Sequence, residues 1–449
     1  MAPFLKIFGG PVDRGSFERF QASIDPAWIV EALVATGVAS IRRRRFPADR
    51  VLWLVVGMAL FRDLPIVDVV QHLGLVLPAV GGVGIVPSAV VQARARLGDS
   101  PLRWLFEKCA KHWALASAAR YSWRGLSLFG MDGTTVRVPD STENRAEFGG
   151  QSAGAKRGNS GYPLVRLVTV MALRSHLLLA AVFGSYRVSE RAYAKDLWAA
   201  LPDNSLLMAD RNFMYAQEFI PLHASGTKRH WLSRARKNMR YRVVEKLGPG
   251  DEIIEMTVTD EARKANPTLP ERWQVRAIRY RRRGFRPQRL LTSLTDAKKY
   301  PRDEIVALYH ERWEIELGYD EVKTEMLERE ETIRSRTPAG VKQELWGLGL
   351  AYNLVRLEME RAAAEAKVPP TRMSFVRSLH AIRVDLLRLA FTSPAHLAKR
   401  IAALRRYLVE DCVLPPRRSD RNYPRAVKIK MSNYPRKRTR ATRRRSRAN

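Results

Sequence analysis

Two aspartates set on neighbouring strands constrain this chain more than any other feature. Leu126–Val138 reads as a strand with Asp132 in its middle, and Leu206–Asp210 as a short buried strand that ends on an acid. Between them, Leu164–Leu173 and Leu177–Val188 read as antiparallel strands joined by a tight turn at Arg174–His176, and Ser189 opens a helical stretch to Leu201. Three strands, a helix and a further strand make an α/β arrangement. Its first and fourth strands each present a carboxylate, and such acids can converge where acids on exposed helices need not. Taken singly, either aspartate could merely end a strand or cap a turn.

The flanking segments differ in texture. From Pro26 to about Arg120 the pattern is helical: Pro47 and Pro65 open helices through Val51–Phe61 and Ile66–Leu75, and Ser88 is placed to cap Ala89–Leu97. Val86–Gly98 carries Arg94 and Arg96 and precedes another amphipathic helix, which suits a DNA-reading helix-turn-helix and equally a helical hairpin with a solvated basic face. The glycine-rich loop Gly149–Gly161 carries Lys156 and Arg157 without the spacing of a phosphate-cradling Walker loop, leaving a connector or a DNA clamp. Trp231–Asp296 alternates like β structure and holds 16 Lys and Arg against 8 Asp and Glu, the densest run being Arg276–Arg283. We read it as a β insertion with phosphate contacts. A long helix from about Asp303 to Glu330 follows, then helices over Gln343–Lys367 and Arg377–Tyr407. Residues 416–449 hold 14 Lys and Arg and one acid, and too few large aliphatic residues to fold alone.

With 78 Lys and Arg against 45 Asp and Glu, the chain carries a formal charge of +33. A polyanion partner is expected, nucleic acid or an acidic membrane surface. Spanning a membrane is not: the apolar stretch Leu164–Gly184 is broken by Arg166, Arg174 and His176, and other runs fall below the roughly 18 residues required. The N-terminus lacks the pattern of a secretory signal, and Cys109 and Cys412 form no C-x-x-C pair. Both features suit a cytoplasmic protein without a zinc site or disulfide framework.

Within the long helix, Tyr309, Arg312, Glu316 and Lys323 fall in an arc of roughly 60° at about 100° per residue. Ile315, Tyr319, Val322 and Met326 form the adjoining apolar stripe, which would dock the helix on the sheet, while Glu311, Glu314, Glu321 and Glu325 lie toward the other side and read as solvated charge. One acid beside an aromatic, an arginine and a lysine suits a phosphodiester next to a metal, although a surface ion-pair ladder has the same spacing. Asp132, Asp210 and Glu316 together are the minimum for two Mg²⁺ ions about 4 Å apart, and oxygen ligands suit that hard ion.

The ungapped spacing Tyr309-x₂-Arg312-x₃-Glu316-x₆-Lys323 resembles the Y-R-E-K signature of the bacterial insertion-sequence family four of DDE transposases. Met131–Thr135 with Glu143, Asn144, Phe148 and Gly149 is similar to the family's first-aspartate segment, Ala209–Phe213 to the second, and Leu291–Asp296 to the lead-in to the signature helix. The resemblance implies an RNase H-like catalytic core, a mixed sheet with flanking helices, interrupted by a β-rich insertion and accompanied by an all-α N-terminal domain and a helical C-terminal region. The corresponding divisions are a DNA-binding domain over 1–122, core segments over 123–230 and 297–335, the insertion over 231–296, C-terminal helices over 336–415 and a basic tail over 416–449. It further implies cut-and-paste transposition: binding of terminal inverted repeats, two-metal hydrolysis with Mg²⁺ (Mn²⁺ able to substitute), and joining of 3′-hydroxyls to target DNA by a synaptic homodimer associated with the nucleoid. Asp132, Asp210 and Glu316 take the catalytic, metal-holding roles. Tyr309, Arg312 and Lys323 take DNA-contact roles with Trp313, which could stack an unpaired base or simply pack in the core; Lys156 and Arg157 would join them. A silent DNA-binding derivative, or a nuclease without strand transfer, would keep the same core.

Overall fold

The structure is a computed structural model that describes residues 23–39, 46–75, 86–151, 161–236, 239–282, 286–328, 332–389 and 394–416. Lys156, Arg157 and the tail from residue 417 lie outside the described residues.

Strands β1 (Ser127–Arg137), β2 (Leu164–Ala172) and β3 (Leu178–Ser185) pair antiparallel, whereas β1, β4 (Ser205–Ala209) and β5 (Arg229–Arg234) pair in parallel. This 3-2-1-4-5 order is the RNase H-like core. β4 is buried at every position, and its unbroken apolar run is what a parallel strand covered on both faces needs. Beyond β5 the ladder continues antiparallel through β9 (Gln288–Thr292), β8 (Arg272–Tyr280) and β7 (Asp251–Thr257) to the edge strand β6 (Arg242–Gly248). The basic β-rich span is therefore an extension of one nine-stranded sheet, with β5 lying across its expected start.

Helices cover the sheet. In chain order they begin with α1 (Pro26–Ala35), α2 (Ala48–Leu60), α3 (Ile66–His72), α4 (Pro87–Leu97) and α5 (Ser100–Arg120). Residues Val51–Met58 of α2 are all buried, so this helix, apolar on every side, is a core element. It passes beneath a long helix, Pro338–Glu365, close enough that a Cβ on Gly347 would stand 3.1 Å from the Val55 carbonyl oxygen. Pro47 and Pro65 precede α2 and α3 as expected, but Ser88 does not cap α4, which starts at Pro87 because proline's fixed φ already suits the first turn. Arg94 is not a base-reading residue here: it turns inward, donating to Gln343 Oε1 at 2.9 Å and Ser335 Oγ at 3.0 Å. The helix read as Arg377–Tyr407 is two helices, Phe375–Leu389 and Pro394–Asp411, the second begun by its proline. All these elements belong to one unit, residues 1–280 and 288–415; a second unit, 281–287 with 416–449, has no helix or strand among its described residues.

Arg276 does not join the phosphate contacts expected of the basic span. Its side chain is wholly buried, forks onto Asp251 at 2.8 and 2.6 Å, and donates to the carbonyls of Leu294 at 3.2 Å and Tyr300 at 2.7 Å. A guanidinium so enclosed ties β7 and β8 to the chain leading into the signature helix, and its complete burial keeps it from DNA. Arg276→Lys keeps the charge but loses the fork, so denaturant unfolding should show a loss of about 2 kcal/mol. Unchanged stability would mean that the fork onto Asp251 contributes nothing.

Candidate active site at the carboxyl ends of the parallel strands

The register explains how two differently placed aspartates meet. Met131 of β1 lies opposite Ala209, the last residue of β4, so Asp132 and Asp210 are the next residues on two parallel strands. Asp132 is mid-strand only because β1 continues its pairing with β2 beyond the end of β4. Asp210 also caps a turn, accepting from the Arg211 N–H at 2.5 Å at the start of a 3₁₀ turn, Arg211–Phe213. Capping and a place at the mouth coexist.

The third acid arrives on a helix that is not uniform. After α6 (Thr142–Phe148), α7 (Glu190–Ala194), α8 (Ala216–Ala224) and α9 (Asp260–Ala265), the chain forms α10 (Arg302–Tyr309), a 3₁₀ turn His310–Arg312, α11 (Trp313–Asp320) and a π-helical turn Glu321–Met326. Ile315, Val322 and Met326 are buried on the sheet as the apolar stripe requires. Glycines let the helix approach: a Cβ on Gly318 would lie 2.7 Å from Met171 Sδ, and one on Gly130 2.6 Å from Leu173 Cδ2 and 3.4 Å from Ile315 Cβ. Tyr319 then reaches across the gap. Its hydroxyl donates to the backbone carbonyl of Asp132 and shares a 2.9 Å hydrogen bond with Thr169 Oγ1, so the signature helix props the strand at the first acid.

Arg312 stands between two of the acids. Its Nη2 donates to Glu316 Oε1 at 2.6 Å and its Nη1 lies 3.9 Å from Asp132 Oδ2. Burial pushes the Asp132 carboxyl up to about 6; the Gly133 N–H and Arg312 pull it down, and Asp210 and Glu316 add to the rise. The pocket thus concentrates negative charge that one guanidinium partly offsets. Among the described residues, no three acid, histidine or cysteine side chains are gathered closely enough to hold one ion. Oxygen donors alone, in a buried pocket whose desolvation already raises a carboxyl, fit a hard divalent cation.

Transposase DDE domains match this chain over residues 123–354, which contain all three acids, and the N-terminal domain of insertion element 4 transposases matches residues 14–107. The chain is 38% identical over 416 residues to the transposase InsG of insertion sequence element IS4 from Escherichia coli K12, covering 92% of each chain. The chain belongs to the insertion-sequence-4 family of DDE transposases. InsZ of the same strain is 38% identical over 231 residues, 51% of this chain and 75% of InsZ. A solved piggyBac transposase synaptic complex with hairpin DNA, matched at 12% identity over 90% of this chain and 85% of that one, has a TM-score of 0.39 and bears on neither arrangement nor chemistry.

As a DDE transposase the protein acts on DNA with divalent metal ions. Its signature residues are only partly gathered. Tyr309 is buried, its phenol pushed up to about 12 by burial, and Arg312 is the residue that touches the acids. Trp313 is 42% exposed, which excludes core packing as its role. Lys323 lies in the π turn and lines a cavity of about 40 Å³ with Thr134, Thr169 and Tyr319.

The opposite face corrects the expectation of solvated glutamates. Glu311 forks onto Arg174 at 2.8 and 2.9 Å, and Glu314 meets His176 Nε2 at 2.9 Å. Glu321 is enclosed by Arg356, whose Nε donates at 3.0 Å and whose Nη2 also donates to it, by the Tyr352 hydroxyl at 2.8 Å, and by His176 Nδ1 at 3.5 Å. Burial pushes its carboxyl up, but Arg356 and His176 outweigh that and hold it at about 2. The lattice fastens both sides of Glu316 to α12 (Pro338–Glu365) and to the β2–β3 turn, where His176 sits at φ +63°. Helical spacing does not reveal it because the partners are 145 and 35 residues away. Arg356 in the mostly apolar run Leu345–Leu357 of α12 was the available signal, since a buried guanidinium requires an acid.

Proposed function

We propose that the protein performs cut-and-paste transposition: it binds the terminal inverted repeats of its element, hydrolyses the strands at their ends and joins the freed 3′-hydroxyls to target DNA. The convergence of Asp132 and Asp210 at one strand mouth, with Glu316 tied to Asp132 through Arg312, carries this reading. Asp132, Asp210 and Glu316 would hold two Mg²⁺ ions, with Mn²⁺ as substitute, which supply charge neutralisation at the scissile phosphate and activation of the attacking oxygen. The chain's own work is positioning. Tyr319 fixes the backbone at Asp132, and Arg312 has the reach to exchange a carboxylate for a phosphate oxygen. Trp313 offers an exposed ring to an unpaired base, and Tyr309 and Lys323 extend the strand-contacting stripe.

Lys156 and Arg157, the helices over 1–122, the sheet extension over 231–296 and the tail over 416–449 would supply further DNA contacts, in a homodimer that joins two element ends in the bacterial cytoplasm at the nucleoid. Among the described residues, no helix is long and apolar enough to cross a membrane.

Purified protein incubated with a supercoiled donor plasmid carrying the element, a target plasmid and Mg²⁺ should release the element and insert it. Binding without cutting would favour the silent derivative, and cutting without insertion the nuclease. Trp313→Ala should slow end cutting about tenfold with little change in duplex affinity, as expected when one base stack of about 1–3 kcal/mol is lost; an unaltered cutting rate would remove Trp313 from the site.

A further inference from the structure

Beside Asp210 the ring of Tyr215 is held between two guanidinium groups. Arg191 Cζ stands 3.3 Å from the ring centre and Arg236 Cζ 3.5 Å from it. Three elements meet to build this stack. Arg191 lies in α7, whose first residue, Glu190, occupies the space against Gly133 next to Asp132. Tyr215 precedes α8, five residues after Asp210, and Arg236 follows β5, whose Ser233 is in register with Ala209. The stack therefore flanks the strand mouth from β1 to β5.

Its charges are poorly balanced. Arg191 has one acid, the buried Glu218, at 3.3 Å. Arg236 is half-buried and bonds only neutral groups, the Tyr215 hydroxyl and, at 3.5 Å, the Arg211 carbonyl; among the described residues no carboxylate pairs with it. Two like charges share one aromatic ring, which offsets part of their repulsion through its faces and sets them a fixed distance apart. The two guanidinium groups also draw the phenol below its ordinary range. A stack serving stability alone gains nothing from a second, unpaired cation at a half-exposed position. A phosphodiester supplies the missing negative charge, and guanidinium groups present the forked donors that phosphate oxygens accept.

We propose that Arg191, Tyr215 and Arg236 form a phosphate clamp that grips the DNA strand running past Asp210. The clamp rests on the transposase reading and assigns it a contact outside the signature helix. Its probes are a short duplex carrying the element's end and an unrelated duplex of equal length, each titrated at several salt concentrations. Arg236→Gln should weaken binding to both about tenfold and make the log–log salt dependence shallower by about one unit, the change for one lost phosphate contact. Tyr215→Leu keeps both charges but removes the spacer, and should weaken binding in the same direction. Because the slope does not depend on the active fraction, it stays readable if a variant is partly unfolded. An unchanged affinity and slope in Arg236→Gln overturns the clamp. End cutting by the wild type, assayed in parallel, reports separately: cutting with an unaltered Arg236→Gln slope removes the clamp and leaves the transposase reading standing.

Discussion

Replacing Asp132, Asp210 or Glu316 by alanine is expected to lower metal-dependent cutting of element ends by about a thousandfold or more, while duplex binding stays within a few-fold. The asymmetry follows from electrostatics. Phosphoryl transfer leaves a protein little covalent work, so the loss of a metal-holding carboxylate removes several kcal/mol of charge stabilisation that nothing nearby replaces. Binding, in contrast, is driven by basic surface, and a carboxylate at the strand mouth repels phosphate. Removing Asp132 relieves a pocket where burial, with a smaller push from Asp210 and Glu316, raises its carboxyl to about 6, and leaves Arg312 with Glu316 at 2.6 Å. Gel-shift and cleavage assays on the same preparations separate the two quantities. Undiminished cutting by any one variant would strike that residue from the site, and a matching loss of binding would reassign it to DNA contact or to folding.

The second large effect is on stability. Arg356→Ala leaves Glu321 buried without its main partner and should cost about 3–5 kcal/mol in denaturant unfolding, whereas replacing both residues by methionine should cost much less. The same pair sets a pH dependence. The Glu321 carboxyl is held at about 2 in the folded protein against an ordinary value of 4.5, so its contribution is fully present above about pH 4.5 and fades as pH falls toward 2. A shift of that size corresponds to about 3 kcal/mol. Arg356, His176, Tyr352 and Glu314 are the charged or titratable groups of this buried lattice. Glu321→Gln should therefore flatten the loss of stability between pH 5 and 3. Equal slopes in the variant and the wild type would show that Glu321 is not the group being protonated.

The core strands and the places of Asp132 and Asp210 along them were legible because each depends on local pattern. Alternation and apolar runs mark β1 to β4, and an acid in or just after such a run stands out. The Y-R-E-K spacing added the family, which the matched domains and the InsG identity bear out. What sequence pattern missed depends on distant partners. Arg276 and Arg94 read as basic surface because Asp251, Gln343 and Glu344 are close only in the folded chain. Glu321 read as solvated because regular helical geometry places it opposite the sheet, and nothing local announces that α12 packs over that face. The π turn Glu321–Met326 was likewise invisible, because the 100° step from which the stripe was drawn assumes a regular helix.

Asp132, Asp210 and Glu316 are proposed to act as one metal-holding set. Its most direct test is a Mn²⁺ titration of the protein bound to element-end duplex, followed by electron paramagnetic resonance, for the wild type and the three alanine variants. Tight Mn²⁺ uptake is expected of the wild type and at least about tenfold weaker uptake of each variant. Mn²⁺ binding that is unchanged by loss of any of the three carboxylates would contradict it.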